Sequence, residues 1–364
     1  MDSLNKYEPM SVRLGIPMSW NSMDKKAKDL IEKGWKREPL TREECLYLLG
    51  FGDVSPEIGY ARMAANDMVR KSTGNTGVIS SQIGLMIKPC PADCKFCNFG
   101  ASHTAVEDFV MSDEELIRRV KDIFGQGDVR TLLLMTMHTF DVDTLKEKIK
   151  IARRTMPEGA VLSMNVGDMD YDTCMELKKA GAERTYHVCR IREGIDTKIP
   201  AEQRIQTIKN MIDAGFPVST CTEPIGPEHS LEEVVNNFFL GMDLGCASFG
   251  VMKRVAVPGT PLSIHGQISE ARLTKFSAVF SLASAFRNKI PAVNAHEPCQ
   301  IGFFSGSNLL TAEFGGNPRD RDKNTEASRG MSVRDCRKML HEAGFENLYG
   351  PGQKLIPLNK EHLL

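Results

Sequence analysis

The chain has 364 residues, a formal net charge of −1 and ten cysteines. That length can bury a large core and suits a single α/β barrel, while the near-neutral charge offers no basic field for nucleic acid and no acidic tail. The first residues lack a signal-peptide pattern and no apolar run is long enough to span a bilayer. A cytoplasmic protein is expected, with cysteines serving metal chemistry in a reducing compartment rather than disulfides.

Residues 1–77 read as an N-terminal helical cap. One helix runs from Met23 to Lys33, and a second from Thr41 to Leu49, with Thr41 capping ahead of Glu43 and Glu44. From there β-rich runs alternate with amphipathic segments. Strands are predicted at 83–88, 130–137, 161–166, 184–190, 217–223, 248–256, 291–295 and 309–312. Helices are predicted at 112–125, 141–155, 169–180, 201–214, 230–243 and 268–286. The first of these opens with Ser112 and Glu115 spaced as a capping box. Eight such repeats predict an α/β fold, a (β/α)8 TIM-type barrel over residues 78–316; a six-repeat incomplete barrel is the second architecture. Residues 317–364 read as a polar C-terminal extension packed on the barrel, with a helix near 332–343 that stops at Gly344.

Cys90, Cys94 and Cys97 lie on one short loop directly after the first predicted strand. Thiolates are the usual protein ligands of iron–sulfur clusters, and three on one loop leave the fourth iron of a [4Fe-4S] cubane open to a chelating small molecule. Structural zinc prefers four closed ligands, and the nearest extra donor is His103. Barrel enzymes carry their chemistry on the loops after the strands, so the strand pattern and the cysteine spacing select the same face.

Other polar residues fall at that face. His138 ends the second strand and Glu223 the fifth. Lys253 and Arg254 end the sixth, and His296 and Glu297 follow the seventh. Charged groups at strand ends are poor core material. His138, Glu223, Lys253 and His296 are the candidates for substrate contact and proton transfer, and a hydrogen-bonded structural role is the alternative for His138.

The Cys90–Cys97 segment resembles the radical S-adenosylmethionine (SAM) superfamily. Its wording, with the later Gly259-Thr260-Pro261-Leu262 and Gly306-Ser307-Asn308 steps, resembles the biotin-synthase-like branch and its C-terminal barrel extension. The resemblance covers roughly residues 80–345. It implies a [4Fe-4S] cluster on the three cysteines with SAM on the open iron, and Phe96 beside the adenine. It places backbone at Thr136 near the SAM amine and backbone at Val255 near the adenine. Arg190, Arg192 and Glu193 become candidates for the ribose and methionine groups, and Arg204 for the SAM carboxylate. A solvated helix arginine is the alternative for Arg204.

The resemblance stops short of a standard biotin synthase. The strand positions that hold a second cluster there fall on Leu133, Leu134 or Met135, on Ser163 and on Ser219. Cys189, Cys221 and Cys299 remain as a possible auxiliary iron–sulfur set. Cys45, Cys174, Cys246 and Cys336 read as small core residues. The expectation is a radical SAM enzyme acting on a small polar metabolite, in cofactor biosynthesis or metalloenzyme maturation, at low oxygen. A flavodoxin- or ferredoxin-type electron donor is implied, with the chain as monomer or homodimer. The alternatives are a noncanonical sulfur-inserting enzyme and a non-catalytic iron–sulfur or zinc protein.

Overall fold

The computed structural model describes residues 23–359, so the first 22 residues of the expected cap and the last five of the expected extension lie outside the described residues. The chain enters through three helices, α1 (Lys25–Trp35), α2 (Arg42–Leu49) and α3 (Pro56–Thr73). Each starts on a side chain that accepts a free backbone N–H: Asp24 from Ala27, Thr41 from Glu44, Ser55 from Ile58. Such caps are worth about 0.5–2 kcal/mol each. The Thr41–Glu44 pair is reciprocal, whereas the expected Ser112–Glu115 box is only half made. Ser112 accepts the Glu115 N–H, but the Glu115 carboxylate turns to Arg118 and Arg119.

Parallel strands then wind into a barrel: β1 (Thr76–Gly84), β4 (Val129–Met135), β5 (Val161–Asn165), β6 (Arg184–Tyr186), β7 (Val218–Ile225), β8 (Ser248–Lys253), β9 (Val293–His296) and β10 (Leu309–Gly315). The short antiparallel pair β2 (Met86–Ile87) and β3 (Phe109–Val110) brackets the cysteine loop. Helices α4 (Asp113–Phe124), α5 (Val142–Thr155), α6 (Tyr171–Ala180), α7 (Ala201–Asp213), α8 (Leu231–Asp243) and α9 (Glu270–Ser284) connect successive strands. Strand β10 pairs in parallel with β1 from Val78↔Leu309 to Gly84↔Gly315, bringing the last repeat back to the first. No ladder joins β9 to β10 among the described residues. There the Asn294 carboxamide oxygen spans the seam by accepting the N–H groups of Asn308 and Leu309, each at 3.0 Å. The molecule is an α/β TIM-type barrel with one seam.

The first strand lies about seven residues earlier than the predicted 83–88. Its lumen face carries Ser80 and Gln82, so the segment lacks the apolar run that marked 83–88. Ile79 and Ile83, on the other face, are fully buried against the helices. At its end, a Cβ on Gly84 would lie 1.9 Å from the Gly316 carbonyl oxygen, so the two backbones can approach only with glycine at position 84. The outer core is aromatic between α8 and α9: Phe238 stacks on Phe280 with centroids 4.0 Å apart, and Phe249 of β8 closes the group.

A one-turn helix, α10 (Gln300–Phe303), precedes β10, and after β10 come α11 (Val333–Glu342) and two strands, β11 (Asn347–Tyr349) and β12 (Leu355–Pro357). Neither strand was anticipated from the sequence. β11 adds to the start of β1 through Thr76↔Asn347 and Gly77↔Leu348. Arg337 on α11 pairs with Asp128, which is completely buried at the entry to β4. Removing one member strands a buried charge, so Arg337→Ala should destabilise the protein by about 3–5 kcal/mol in denaturant unfolding; a change below about 0.5 kcal/mol would refute the role. No helix among the described residues is long and apolar enough to cross a membrane.

Candidate functional site

Backbone hydrogen bonds shape the cysteine loop before any side chain is considered. The Cys90 N–H donates to Phe99 O (2.7 Å), Ala101 N–H to Cys90 O (3.1 Å), Cys97 N–H to Cys94 O (3.0 Å), and Asp93 N–H to Cys90 O (3.1 Å). Asp93 adopts φ +47° and its carboxylate accepts from Ser102 and from Lys198 at 2.7 Å, pinning the turn between the first two cysteines. His103, the nearest candidate for a fourth donor, instead bonds the Cys97 carbonyl at 2.7 Å.

All three cysteines are free and line one cavity. Burial raises the Cys94 thiol to about 11 and the Cys97 thiol further. A bare thiolate is therefore disfavoured, and ligation must supply the positive charge that deprotonates it. Among the described residues no three His, Cys, Asp or Glu side chains converge on a single ion. Closed zinc needs that convergence, whereas a cubane spreads its thiolates over separate corners.

The rest of the cavity comes from strand ends: Thr136, Met137 and His138 after β4, Asn165 to Gly167 at the end of β5, Tyr186, His187, Val188 and Arg190 at β6, and Arg204 from α7. Asp168 organises them. Its carboxylate accepts from His187 Nε2 (2.9 Å), Arg204 (3.1 Å) and Gln203 (2.9 Å), with His138 Nδ1 3.8 Å away. Burial alone would raise the Asp168 pKa; the His187 hydrogen bond and the Arg204 charge outweigh it and hold the group ionised. Glu193 accepts from Thr197 (2.6 Å) and the Arg190 N–H (2.9 Å), and lies 3.6 Å from Arg204 Nε. Three buried nitrogens on these side chains, His138 Nδ1, Arg190 Nε and Arg204 Nε, have no hydrogen-bond partner. Three free thiols beside unpaired guanidinium and imidazole donors fit a cluster plus a chelating molecule with a carboxylate.

Burial lowers the His187 pKa, against the pull of Asp168. The unfolded chain then binds a proton more readily than the native state, so the contribution is complete above about pH 6.5 and is lost as pH falls below it. The thermal midpoint should fall between about pH 6.5 and 5, and His187→Gln should flatten that slope. An unchanged slope would contradict the assignment.

The predicted residues divide by position. Phe96 sits under the Arg190 guanidinium, 5.8 Å from ring centroid to carbon, and Thr136, His138, Arg190, Glu193 and Arg204 gather around the cavity. Glu223 and His296 face the barrel lumen, the former accepting from Tyr186 and the latter 3.0 Å from Arg319. Three do not join them. Arg192 (φ +56°) turns outward to pair with Glu233 of α8. Lys253 alternates with Phe249 and Val251 and so shares their helix-facing side. Val255 lies outside the lining, its carbonyl accepting the Val257 N–H at 2.9 Å.

The candidate auxiliary cysteines occupy separate places. Cys189 packs near Ala201 of α7, Cys221 faces Gly250 in the lumen, and Cys299 precedes the short α10. Sequence reasoning missed Asp168, Glu313, Arg319 and Arg329. Asp168 and Glu313 had a local signal, an acid within three residues of a predicted strand end. The arginines come from the polar stretch after β10: Arg319 bonds Glu313 and lies 3.3 Å from Glu297, and Arg329 bridges the same two carboxylates. That stretch is tied to the cysteine loop by Asn98, whose N–H donates to Pro318 O at 2.9 Å and whose amide reaches Asp320 O.

Comparison with known proteins agrees with this geometry. Residues 86–240 match the family described as the Radical SAM superfamily. The biotin synthase of Sulfurihydrogenibium sp. (strain YO3AOP1) is 26% identical over 265 residues, covering 70% of this chain and 78% of that one. The biotin synthase of Geobacter sulfurreducens is 26% identical over 305 residues, covering 76% and 89%. The crystal structure of methylornithine synthase (PylB) superposes with a TM-score of 0.72 at 16% identity, over 86% of this chain and 95% of that one. The FeFe-hydrogenase maturase HydG from Carboxydothermus hydrogenoformans gives 0.74 at 15% identity, over 88% and 79%. At such identity these structures show a shared fold. Fold and cysteine loop together define a radical SAM enzyme. The chain carries a radical SAM domain over residues 86–240 and is biotin-synthase-like, though distant from the biotin synthases themselves.

Proposed function

We propose that this enzyme cleaves SAM reductively and uses the product to abstract hydrogen from a small polar metabolite, in cofactor biosynthesis or metalloenzyme maturation. The observation that carries the reading is the set of three free cysteines opening onto a cavity whose buried donors lack partners. Cys90, Cys94 and Cys97 would hold a [4Fe-4S] cluster, with SAM on the open iron. When bound, these groups supply an electron and a 5′-deoxyadenosyl radical. The protein's own part is placement. Asp168 and Glu193 fix the direction of Arg204, whose bidentate geometry suits a carboxylate. Arg190 joins the cavity to Glu223 at 3.5 Å, setting the polar boundary between cofactor and lumen. The Asn98 ties hold the stretch after β10 over the cysteine loop and limit water entry. Radical SAM enzymes need an electron donor, and a flavodoxin- or ferredoxin-type protein is the proposed one.

The separate placement of Cys189, Cys221 and Cys299 favours chemistry confined to SAM and substrate over sulfur insertion. Anaerobic reconstitution should load about four irons per chain, and reduction in the presence of SAM should release 5′-deoxyadenosine. Cys189→Ala, Cys221→Ala and Cys299→Ala should leave the iron content unchanged. Loss of two or more irons in those variants would restore the sulfur-inserting reading. Absence of 5′-deoxyadenosine from fully loaded protein would refute the radical reading itself.

A further inference from the structure

The lumen of this barrel holds an uneven set of charges. Glu297 and Glu313 are both taken up by Arg319 and Arg329, which form a closed four-membered lattice at the β9–β10 seam. Near the cysteine loop, Asp168 and Glu193 engage Arg204, and Arg190 lies 3.8 Å from Glu193. Glu223 has only shared cations: Arg190 Nε at 3.5 Å, and the more distant charge of Arg319, which Glu297 and Glu313 already hold. The carboxylates Asp168, Glu193, Glu223, Glu297 and Glu313 thus outnumber the guanidiniums Arg190, Arg204, Arg319 and Arg329 by one. Asp320, held by the hydroxyls of Thr325 and Ser328, adds to the excess. Lys253 does not offset it, since it faces the helices.

Glu223 is 4% exposed, so its charge is withdrawn from water. One carboxylate oxygen, Oε2, accepts the Tyr186 hydroxyl. At the other, Oε1, Arg190 Nε stands 3.5 Å away without a hydrogen bond, and the Cys221 thiol lies beside the carboxylate. A buried carboxylate with no dedicated cation is costly unless a ligand completes it. The groups at the cysteine loop do not supply that ligand charge. SAM that chelates iron through its amine gives up the ammonium proton, so its sulfonium and carboxylate would cancel, while an oxidised cubane on three thiolates would carry one net negative charge; neither would offer Glu223 a cation.

We propose that Glu223 anchors a primary ammonium group of the substrate, with Tyr186 fixing the carboxylate and leaving Oε1 as the acceptor. The substrate class is then a small aliphatic amine or amino acid, entering the lumen with its cationic end at β7. This rests on the radical SAM reading for the identity of the neighbouring cofactor, and binding can be read without turnover.

The test uses the reconstituted protein with SAM bound and three probes of matched shape: n-pentylammonium, n-pentanol and pentanoate. Ligand-observed saturation-transfer NMR measures their affinities, and 5′-deoxyadenosine release is assayed separately. The ammonium should bind best, and Glu223→Gln should weaken it at least tenfold while leaving n-pentanol unaffected. Tyr186→Phe keeps the charge and should retain most of the ammonium affinity. Pentanoate binding at least as well as n-pentylammonium would overturn the proposal. So would unaltered ammonium binding in Glu223→Gln, or ammonium binding only when SAM is absent. Failure of SAM cleavage with normal ammonium binding would instead count against the radical reading alone.

Discussion

Cys90→Ala, Cys94→Ala and Cys97→Ala should each lose the cluster and, with it, SAM cleavage. The loss should exceed the roughly 10–100-fold typical of removing an outer partner of a metal ligand, because a cubane with two protein thiolates has neither its third corner nor a defined open iron. The variants should nevertheless fold. The loop is held by the Cys90–Phe99, Cys90–Ala101 and Cys94–Cys97 backbone hydrogen bonds and by Asp93, none of which uses a sulfur atom. Iron content and 5′-deoxyadenosine release should fall together while the far-ultraviolet circular dichroism stays unchanged. A variant that keeps robust cleavage would show that the loop does not hold the cluster.

Gly167→Ala should be nearly as damaging by a different route. A Cβ at this position would lie 1.7 Å from the His138 carbonyl oxygen and 2.6 Å from its carbon. Those atoms belong to backbone, so no side chain can rotate away, and one of two strand ends must move. Overpacking against side chains typically costs about 1–3 kcal/mol, and this contact should reach or exceed the upper end. The displacement would also carry Asp168, the next residue, away from Arg204 and His187. SAM affinity should therefore fall at least about tenfold, which corresponds to about 1.4 kcal/mol. Denaturant unfolding and SAM titration measure the two effects. A normal SAM affinity would show that the β4 and β5 ends are less tightly coupled to the site than their contact implies.

The barrel was legible because most of its strands bury one face in apolar side chains and are separated by capped amphipathic helices. β4 shows this through Leu132 and Leu134, both fully buried, and α8 through the reciprocal Ser230–Glu233 cap. β1 escaped because the lumen is polar, and Ser80 and Gln82 erase the apolar signature on the inner face. The cysteine loop was legible because all its ligands are local in sequence. The opposite holds for the lattice of Glu297, Glu313, Arg319 and Arg329. Its members meet only once β10 returns to β1 and the following stretch folds back over the mouth, so no spacing along the chain announces it. Lys253 shows the reverse error. A charged residue at a strand end suggested chemistry, and the strand's alternation turns it to the helix side.

The central claim is that Cys90, Cys94 and Cys97 leave one iron open for SAM. Electron paramagnetic resonance of the anaerobically reconstituted, dithionite-reduced protein tests it most directly. Adding SAM should change the reduced cluster's signal, because a new chelate alters the electronic environment of the open iron. Arg204→Met should require more SAM for the same change, since it removes a guanidinium donor from the cavity. A signal that is identical with and without saturating SAM, from protein carrying its full iron complement, would mean that the cluster offers no open site and would contradict the account.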